Sequence, residues 1–333
     1  MKNIKLLDCT LRETASCDLD LEAKFTEKFI EFMIPSKVDY IEIGFLKEGG
    51  NQISGNFFEN VDQVDQIIGK WKEKNKFVAL IDCGRFHVKN LPCASETSLC
   101  GIRICFKKHQ VNDVISDIRT LVDKGYRVFV QHVDIMDYAE KEIISFIRKL
   151  NGFGISGYSI VDTFGTMYPE DLERLYSLVD HYLEKAIILG FHGHNNKMMA
   201  NALAMELARL VSDRRLILDV SVAGAGRGAG NANTEILMDY LNKNHGSCYL
   251  LDSIIELADL MLPLFRNRFK WGYCMPYFLA GLYDAHTFIV DYLSEQHGVR
   301  LADIKSVLDQ MSEEEKKKYN YKNIDKMLNK IRS

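Results

Sequence analysis

Short β-branched apolar runs alternate with amphipathic stretches of helical period along most of this chain, the pattern of a parallel sheet with crossover helices. Eight runs read as strands: Ile4 to Cys9, Tyr40 to Phe45, Phe77 to Asp82, Gly101 to Phe106, Val128 to Val133, Gly157 to Thr163, Ala186 to His192 and Leu216 to Val222. Helical stretches fall between them, near Leu21 to Met33, Asn60 to Lys74, Val111 to Lys124, Glu140 to Asn151, Pro169 to Glu184 and Met198 to Val211, with Asn233 to Asn242 after the last strand. A repeat of roughly 25–36 residues fits a closed eightfold barrel. The competing doubly wound sheet would bring a glycine-rich phosphate turn after its first strand, where this chain has Thr10-Leu11-Arg12-Glu13. The fold class expected is therefore α/β, a TIM (β/α)8 barrel over residues 1–245, followed by a helical C-terminal region over 246–333.

Composition narrows the class. The 333 residues are 47% hydrophobic with 5 prolines, long enough for one large α/β barrel or for one domain plus a small appendage. No apolar run approaches the roughly 18 residues that span a membrane, and Met1 to Leu6 carries no secretory apolar core. A cytoplasmic address and no membrane partner are expected. The 8 cysteines lack the paired spacing of a zinc ribbon and read as reduced thiols. A net charge of -4 with interleaved signs argues against nucleic acid as a partner.

Chemistry in such a barrel sits at the C-terminal ends of the strands. The seventh run leads into Gly190-Phe191-His192-Gly193-His194-Asn195-Asn196. Alternation along a strand projects His192 and His194 to the same side, so two imidazoles face one point, a metal half-site. A lone histidine there would more often be a hydrogen-bonded core residue; the pair at a strand end favours a ligand role. Other strand ends supply Asp8, Cys9, Thr10, Arg12, Glu13, Glu42, Asp82, Arg103, Gln131, His132, Asp134, Asp162, Thr163 and Ser221. One or two could serve internal ion pairs, but so many buried polar groups favour a polar, metal-bearing pocket. Arg12, Asp162, Thr163 and Ser221 are the candidates for substrate contact.

The loop from Ala223 to Glu235, with glycines at 224, 226, 228 and 230, has two readings. Its amides could approach a phosphate beside a helix N-terminus. Alternatively it folds over the pocket and brings Asn231 towards the histidines.

Leu7-Asp8-Cys9-Thr10-Leu11-Arg12, Ile41-Glu42-Ile43-Gly44, Phe191-His192-Gly193-His194-Asn195-Asn196 and Gly228-Ala229-Gly230-Asn231 resemble the motifs of the metallolyase TIM barrels, the HMG-CoA lyase-like family. That family includes 4-hydroxy-2-oxovalerate aldolases and isopropylmalate or homocitrate synthases, and over about residues 1–245 the chain looks most like the aldolase branch. The resemblance implies a divalent metal (Mn first, otherwise Mg, Co or Zn) held by Glu13, His192, His194 and Asn231. It implies a pyruvate-like 2-oxo acid substrate, a metal-stabilised enolate with Arg12 as a catalytic group, and Glu42 pairing with Arg12. Two positions depart from the pattern. Glu13-Thr14 stands where the family has Asp-Gly, and Ser16 stands where the aldolases carry a histidine that acts near the substrate hydroxyl. The proton-transfer candidates are then His132, a metal-bound water, or a tyrosine from the C-terminal segment, with Tyr273 and Tyr277 in view.

Residues 246–333 read as helices, apolar at helical spacing from Leu250 to Leu264 and highly charged from Ser312 to Lys318. The aromatic stretch Phe269 to Leu279 reads first as packing and otherwise as a cover over the barrel mouth. In the aldolase branch a C-terminal helical region binds an aldehyde dehydrogenase; motif matching to that region is poor here. A homo-oligomer is left open. Three functions are in view: a metal-dependent aldolase or lyase, a Claisen-type synthase joining an acyl-CoA to a 2-oxo acid, and a catalytically impaired barrel with a binding role.

Overall fold

A computed structural model describes residues 4–17, 19–49, 54–72, 75–210, 213–266, 268 and 270–332. Lys74, Val211, Phe269 and Ser333, which bound segments expected from the sequence, lie outside the described residues.

Eight parallel strands close into a barrel. They are β1 (Ile4–Asp8), β2 (Tyr40–Leu46), β4 (Phe77–Asp82), β5 (Gly101–Cys105), β6 (Arg127–His132), β7 (Gly157–Asp162), β8 (Ile188–Gly193) and β9 (Leu216–Val220); a two-residue strand, β3 (Phe57–Phe58), adds to the end of β2. The hydrogen-bonded order runs β1-β9-β8-β7-β6-β5-β4-β2, and pairing of Leu7 with Tyr40 and Asp8 with Ile41 closes the ring. Around it run α2 (Ala23–Met33), α3 (Val61–Ile68), α4 (Val111–Asp123), α5 (Glu140–Leu150), α6 (Pro169–Tyr182), α7 (Ala200–Leu210) and α8 (Thr234–His245). The fold is the TIM barrel expected from the alternating pattern.

Period-two alternation sets what the barrel contains. Helix-facing positions such as Ile102, Ile104, Val128, Val130, Leu216 and Leu218 belong to the large outer core. Inward positions Leu7, Tyr40, Val78, Phe129, Ile188 and Ile217 form a separate apolar plug. Large and small residues interleave in that plug: a Cβ on Gly157 would come 2.7 Å from the Phe129 ring, so the glycine makes room for it. Two residues further along the strands, the inward positions turn polar, and Glu42, Arg103, Gln131, Ser159 and Asp219 are all buried.

A short buried helix, α1 (Thr10–Ala15), follows β1 where the sequence reading placed only a strand end. Asp8 accepts from the Thr10 amide at 3.1 Å, and the Asn56 amide donates to the Leu11 and Leu19 carbonyls. Tertiary hydrogen bonds thus hold six residues that carry no helical hydrophobic period of their own.

Beyond α8, α9 (Leu251–Arg266) packs between α2 and α8, and its Ile254, Leu257, Met261 and Phe265 belong to the barrel's outer core. The helices α10 (Met275–Leu282), α11 (Thr287–Glu295), α12 (Leu301–Gln310), α13 (Glu313–Lys316) and α14 (Tyr321–Arg332) gather around a second core that includes Ile289, Leu293, Ile304 and Leu308. No helix among the described residues is long and apolar enough to cross a membrane.

Candidate metal and substrate site

The polar layer opens into a cavity of about 390 Å³ at the C-terminal mouth of the barrel. Its floor holds a closed ring of ion pairs. Arg12 Nε donates to Glu42 Oε2 at 2.8 Å, making the pairing that the sequence resemblance implies, and the same oxygen lies 2.8 Å from Arg103 Nη1. Arg103, 1% exposed, pairs through Nη2 with Asp219, whose Oδ2 is 3.0 Å from His192 Nδ1. His192 Nε2 lies 3.3 Å from Glu13 Oε1, and Glu13 pairs back to Arg12 Nη1. Alternating signs let three carboxylates and two guanidiniums share a buried layer, where any one alone would be costly.

This ring sets the protonation of its members. Burial would raise the Glu13 pKa, but Arg12, with help from His192, holds it well below the carboxylate range. Burial likewise opposes charge on His192, yet its hydrogen bonds to Asp219 and Glu13 outweigh that and raise its pKa. As an imidazolium, His192 satisfies both contacts. A neutral ring donating from Nδ1 would leave Nε2 and Glu13 Oε1 as facing acceptors, an arrangement that a shared cation relieves.

His194 has the opposite character. Burial and the neighbouring His192 lower its pKa to about 3. It is therefore neutral, and with Nδ1 donating to the Asp162 carbonyl at 3.0 Å its Nε2 keeps a free lone pair. The two imidazole rings lie 5.0 Å apart. The glycine loop folds back onto this point: Asn231 pairs with His194 in an antiparallel bridge, and the Asn195 amide donates to the Gly230 carbonyl. Glycine is required at 226, where a Cβ would lie 2.1 Å from Asn231 Nδ2 and 3.3 Å from Glu13 Oε2. Both Glu13 carboxylate oxygens and Asn231 Oδ1 are buried without a hydrogen bond, although Oε1 keeps its ion pairs. Two oxygen carriers with unused lone pairs beside two imidazoles make a donor set suited to a divalent cation. Cys9, Glu13 and His192 also bring ligand atoms within 4.8 Å of one another. The Cys9 thiol donates to the Val220 carbonyl at 3.2 Å, and burial pushes its pKa well above the usual range.

The remaining sequence candidates fall in different places. Thr163 lines the cavity and accepts from the Asp134 amide at 2.7 Å. Asp162 turns outward from the barrel axis to accept from the Thr166 and Met167 amides, with burial raising its pKa to about 7. Ser221 is fully buried and its backbone bridges to Asn233; its hydroxyl has no hydrogen-bond partner among the described residues. His132 lies on the helix side of β6, 2.5 Å from the Tyr158 hydroxyl and packed against Phe106, Tyr138 and Phe146. Tyr273 is 52% exposed, with its hydroxyl 3.6 Å from Met275 Sδ, and neither it nor His132 is among the residues lining the cavity.

Residues from the C-terminal region instead complete the mouth: His286, Phe288, Lys317 and Tyr319 line the same cavity as Arg12 and Glu13. Tyr319 packs on His286 and Phe288 at ring distances of 4.7 and 5.1 Å. The aromatic stretch near 271 acts as packing, for Trp271 donates to the Ala223 carbonyl and its ring meets Phe265. Asp219 also went unread in the sequence, although period two places it on the same face of its strand as Ser221.

A closed (β/α)8 barrel with its buried ionic cluster at the C-terminal mouth belongs to the TIM-barrel enzymes, which work from that face. Within that class this chain belongs to the HMGL-like family, whose model matches residues 3–261, and it is an enzyme of lyase or aldolase type. It is 25% identical over 273 residues to a 4-hydroxy-2-oxovalerate aldolase of Pseudoalteromonas translucida, covering 77% of this chain and 75% of that one. It is 27% identical over 266 residues to 4-hydroxy-2-oxovalerate aldolase 2 of Comamonas testosteroni, covering 75% and 72%. Among solved structures, the N-terminal domain of a candidate aldolase from Bacteroides vulgatus superposes with a TM-score of 0.76 at 23% identity, over 89% of this chain and 98% of that one.

Proposed function

We propose that the protein is a divalent-metal-dependent aldolase that makes or breaks the carbon–carbon bond next to a pyruvate-like 2-oxo acid. The reading rests on one observation above others: Glu13, whose buried carboxylate oxygens accept no hydrogen bond, brings a ligand atom within 4.8 Å of one on His192, and the unsatisfied Asn231 Oδ1 belongs to the loop residue that bridges to His194. Glu13, His192, His194 and Asn231 would hold the ion, with manganese as the first choice. Such a cation supplies Lewis-acid stabilisation of negative charge on the substrate's keto oxygen.

The chain's own groups account for the rest. Arg12 is fixed by Glu42 and lines the cavity, so its free guanidinium N–H groups are pre-aimed at an oxygen on which charge develops. Asp219 keeps the His192 proton on Nδ1, and the Asp162 carbonyl does the same for His194. Proton transfer at the substrate hydroxyl needs a group inside the cavity. Ser16 lines it but donates its hydroxyl to the Arg12 carbonyl at 3.3 Å. Tyr319, which lines the mouth from the C-terminal side, is the group we assign to that role.

The test is metal-dependent pyruvate release from a panel of 4-hydroxy-2-oxo acids, with Mn, Mg, Co and Zn added separately to chelator-treated protein. Turnover with at least one metal, lost in Glu13→Gln, is expected. No turnover across the panel, or full activity without metal, would overturn the reading.

A further inference from the structure

The same cavity is also lined by cations that the ionic ring does not use. Lys317 is neutralised by Asp284 and Asp137, and Arg85 pairs with Asp82 at 3.0 Å. Arg227, from the glycine loop, has no carboxylate within ion-pair distance among the described residues; its polar neighbour is His286 Nε2, at 3.4 Å from Nη1. Asp291, the acid that feels its charge, is engaged by Tyr277. Lys107 also lines the cavity without an ion pair among the described residues.

His286 makes this arrangement informative. Its Nδ1 caps α11 by accepting from the Phe288 amide at 3.2 Å. Burial, with Arg227, Lys107 and His194 nearby, lowers its pKa to about 2, so at neutral pH it has a single ring proton. The cap needs the lone pair on Nδ1, which puts that proton on Nε2. Nε2–H and the Arg227 N–H groups are then donors facing one another, with no acceptor shared between them among the described residues. An oxyanion seated there would accept from both and offset the local positive charge. The position is built rather than accidental: a Cβ on Gly228, next to Arg227, would lie 2.6 Å from Thr287 Cγ2, so the loop can approach the N-terminus of α11 only with glycine there.

We propose that Arg227 and His286, with Lys107 at the rim, form an anion subsite for a second acidic group, a carboxylate or phosphate-like oxyanion, on the part of the substrate remote from the 2-oxo acid. This rests on the proposed 2-oxo acid chemistry and narrows the co-substrate to acid-ended rather than purely alkyl aldehydes. A cavity of about 390 Å³ has room for a small doubly anionic ligand of this kind.

The experiment uses the full chain, loaded with manganese and in a parallel chelator-treated series, and titrates 2-oxo acids of equal chain length ending in methyl, carboxylate or phosphonate by calorimetry. At least one acid-ended member is expected to bind about tenfold or more tightly than the methyl-ended one, the scale of one charge-assisted hydrogen bond. Which of the two does so identifies the oxyanion. Arg227→Gln and His286→Gln are each expected to shrink that ratio towards one, with Arg227→Lys restoring part of it; melting temperatures check that the variants fold. Equal binding in the unsubstituted protein overturns the subsite, and a preference that survives both substitutions overturns its residues. Binding of acid-ended members without metal dependence would keep the subsite and remove the 2-oxo acid reading, whereas no binding by any member removes both.

Discussion

His192 Nδ1 lies 3.0 Å from Asp219 Oδ2, while the opposite ring nitrogen faces Glu13 Oε1 at 3.3 Å. On the proposed metal-dependent reading, Asp219 holds the His192 proton on Nδ1 and leaves Nε2 for the cation. Asp219→Asn should weaken divalent-metal affinity by roughly 10–100-fold, the usual cost of losing a carboxylate behind a ligating imidazole. It should also lower the melting temperature, because Arg103 loses one of its two carboxylate partners in a site 1% exposed. Chelator-competition titration reads the first effect and calorimetry the second; unchanged metal affinity would remove the role given to Asp219.

Glu42 tests the division of labour inside the ring. Its Oε2 serves Arg12 and Arg103 at 2.8 Å each, and it makes no contact with either histidine among the described residues. Glu42→Gln should lower kcat for pyruvate release by about 10–100-fold through misplacement of Arg12, while metal affinity changes by less than about threefold. Loss of the metal instead would mean that the ring acts as one ligand-holding unit.

The barrel was legible because every strand is buried on both faces and reads as an apolar run bounded by polar residues; Phe77–Asp82 matches its expected span end to end. The last strand ends at Val220, two residues short of expectation, because Ser221 leaves the ladder to bridge with Asn233. His192 and His194 stood out because alternation along one strand is a local signal. Asp219 did not, as its single charge sits inside Leu216 to Val222 and acquires meaning only beside Arg103 and His192, 116 and 27 residues away. The mouth residues His286, Phe288, Lys317 and Tyr319 were hidden for the same reason. Their helices bury a core of their own, and nothing in their periodicity says which end meets the barrel.

The proton-transfer role proposed for Tyr319 separates catalysis from binding. Its ring packs tilted against His286 and edge-on to Phe288 at the mouth, so Tyr319→Phe keeps the packing and removes only the hydroxyl. The cleavage kcat should fall about 100-fold, with KM and metal affinity nearly unchanged. A variant with full kcat would transfer proton handling to a water molecule, and a matching loss in metal affinity would point to a structural role.

Asp8 supplies a pH test that leaves the histidines alone. It faces away from the barrel axis, accepting from Thr234 Oγ1 at 2.7 Å and from the Thr10 amide, and burial raises its pKa from 3.8 to about 6. For an acid with a raised native pKa, the folded state binds the proton more tightly than the unfolded chain. Its contribution is thus most favourable below pH 4, declines between pH 4 and 6, and above pH 6 leaves a cost on the order of 3 kcal/mol for the buried charge. Asp8→Asn keeps the shape, and the Thr234 hydroxyl can rotate to accept from the new amide. The variant should therefore melt several degrees higher than the parent at pH 7.5, with the gap closing as pH falls to 4. Urea unfolding at four pH values between 4 and 7.5 measures this directly. A variant that is less stable at pH 7.5 would show that the Asp8 charge stabilises the β1–α8 contact, reversing the sign assigned to its burial.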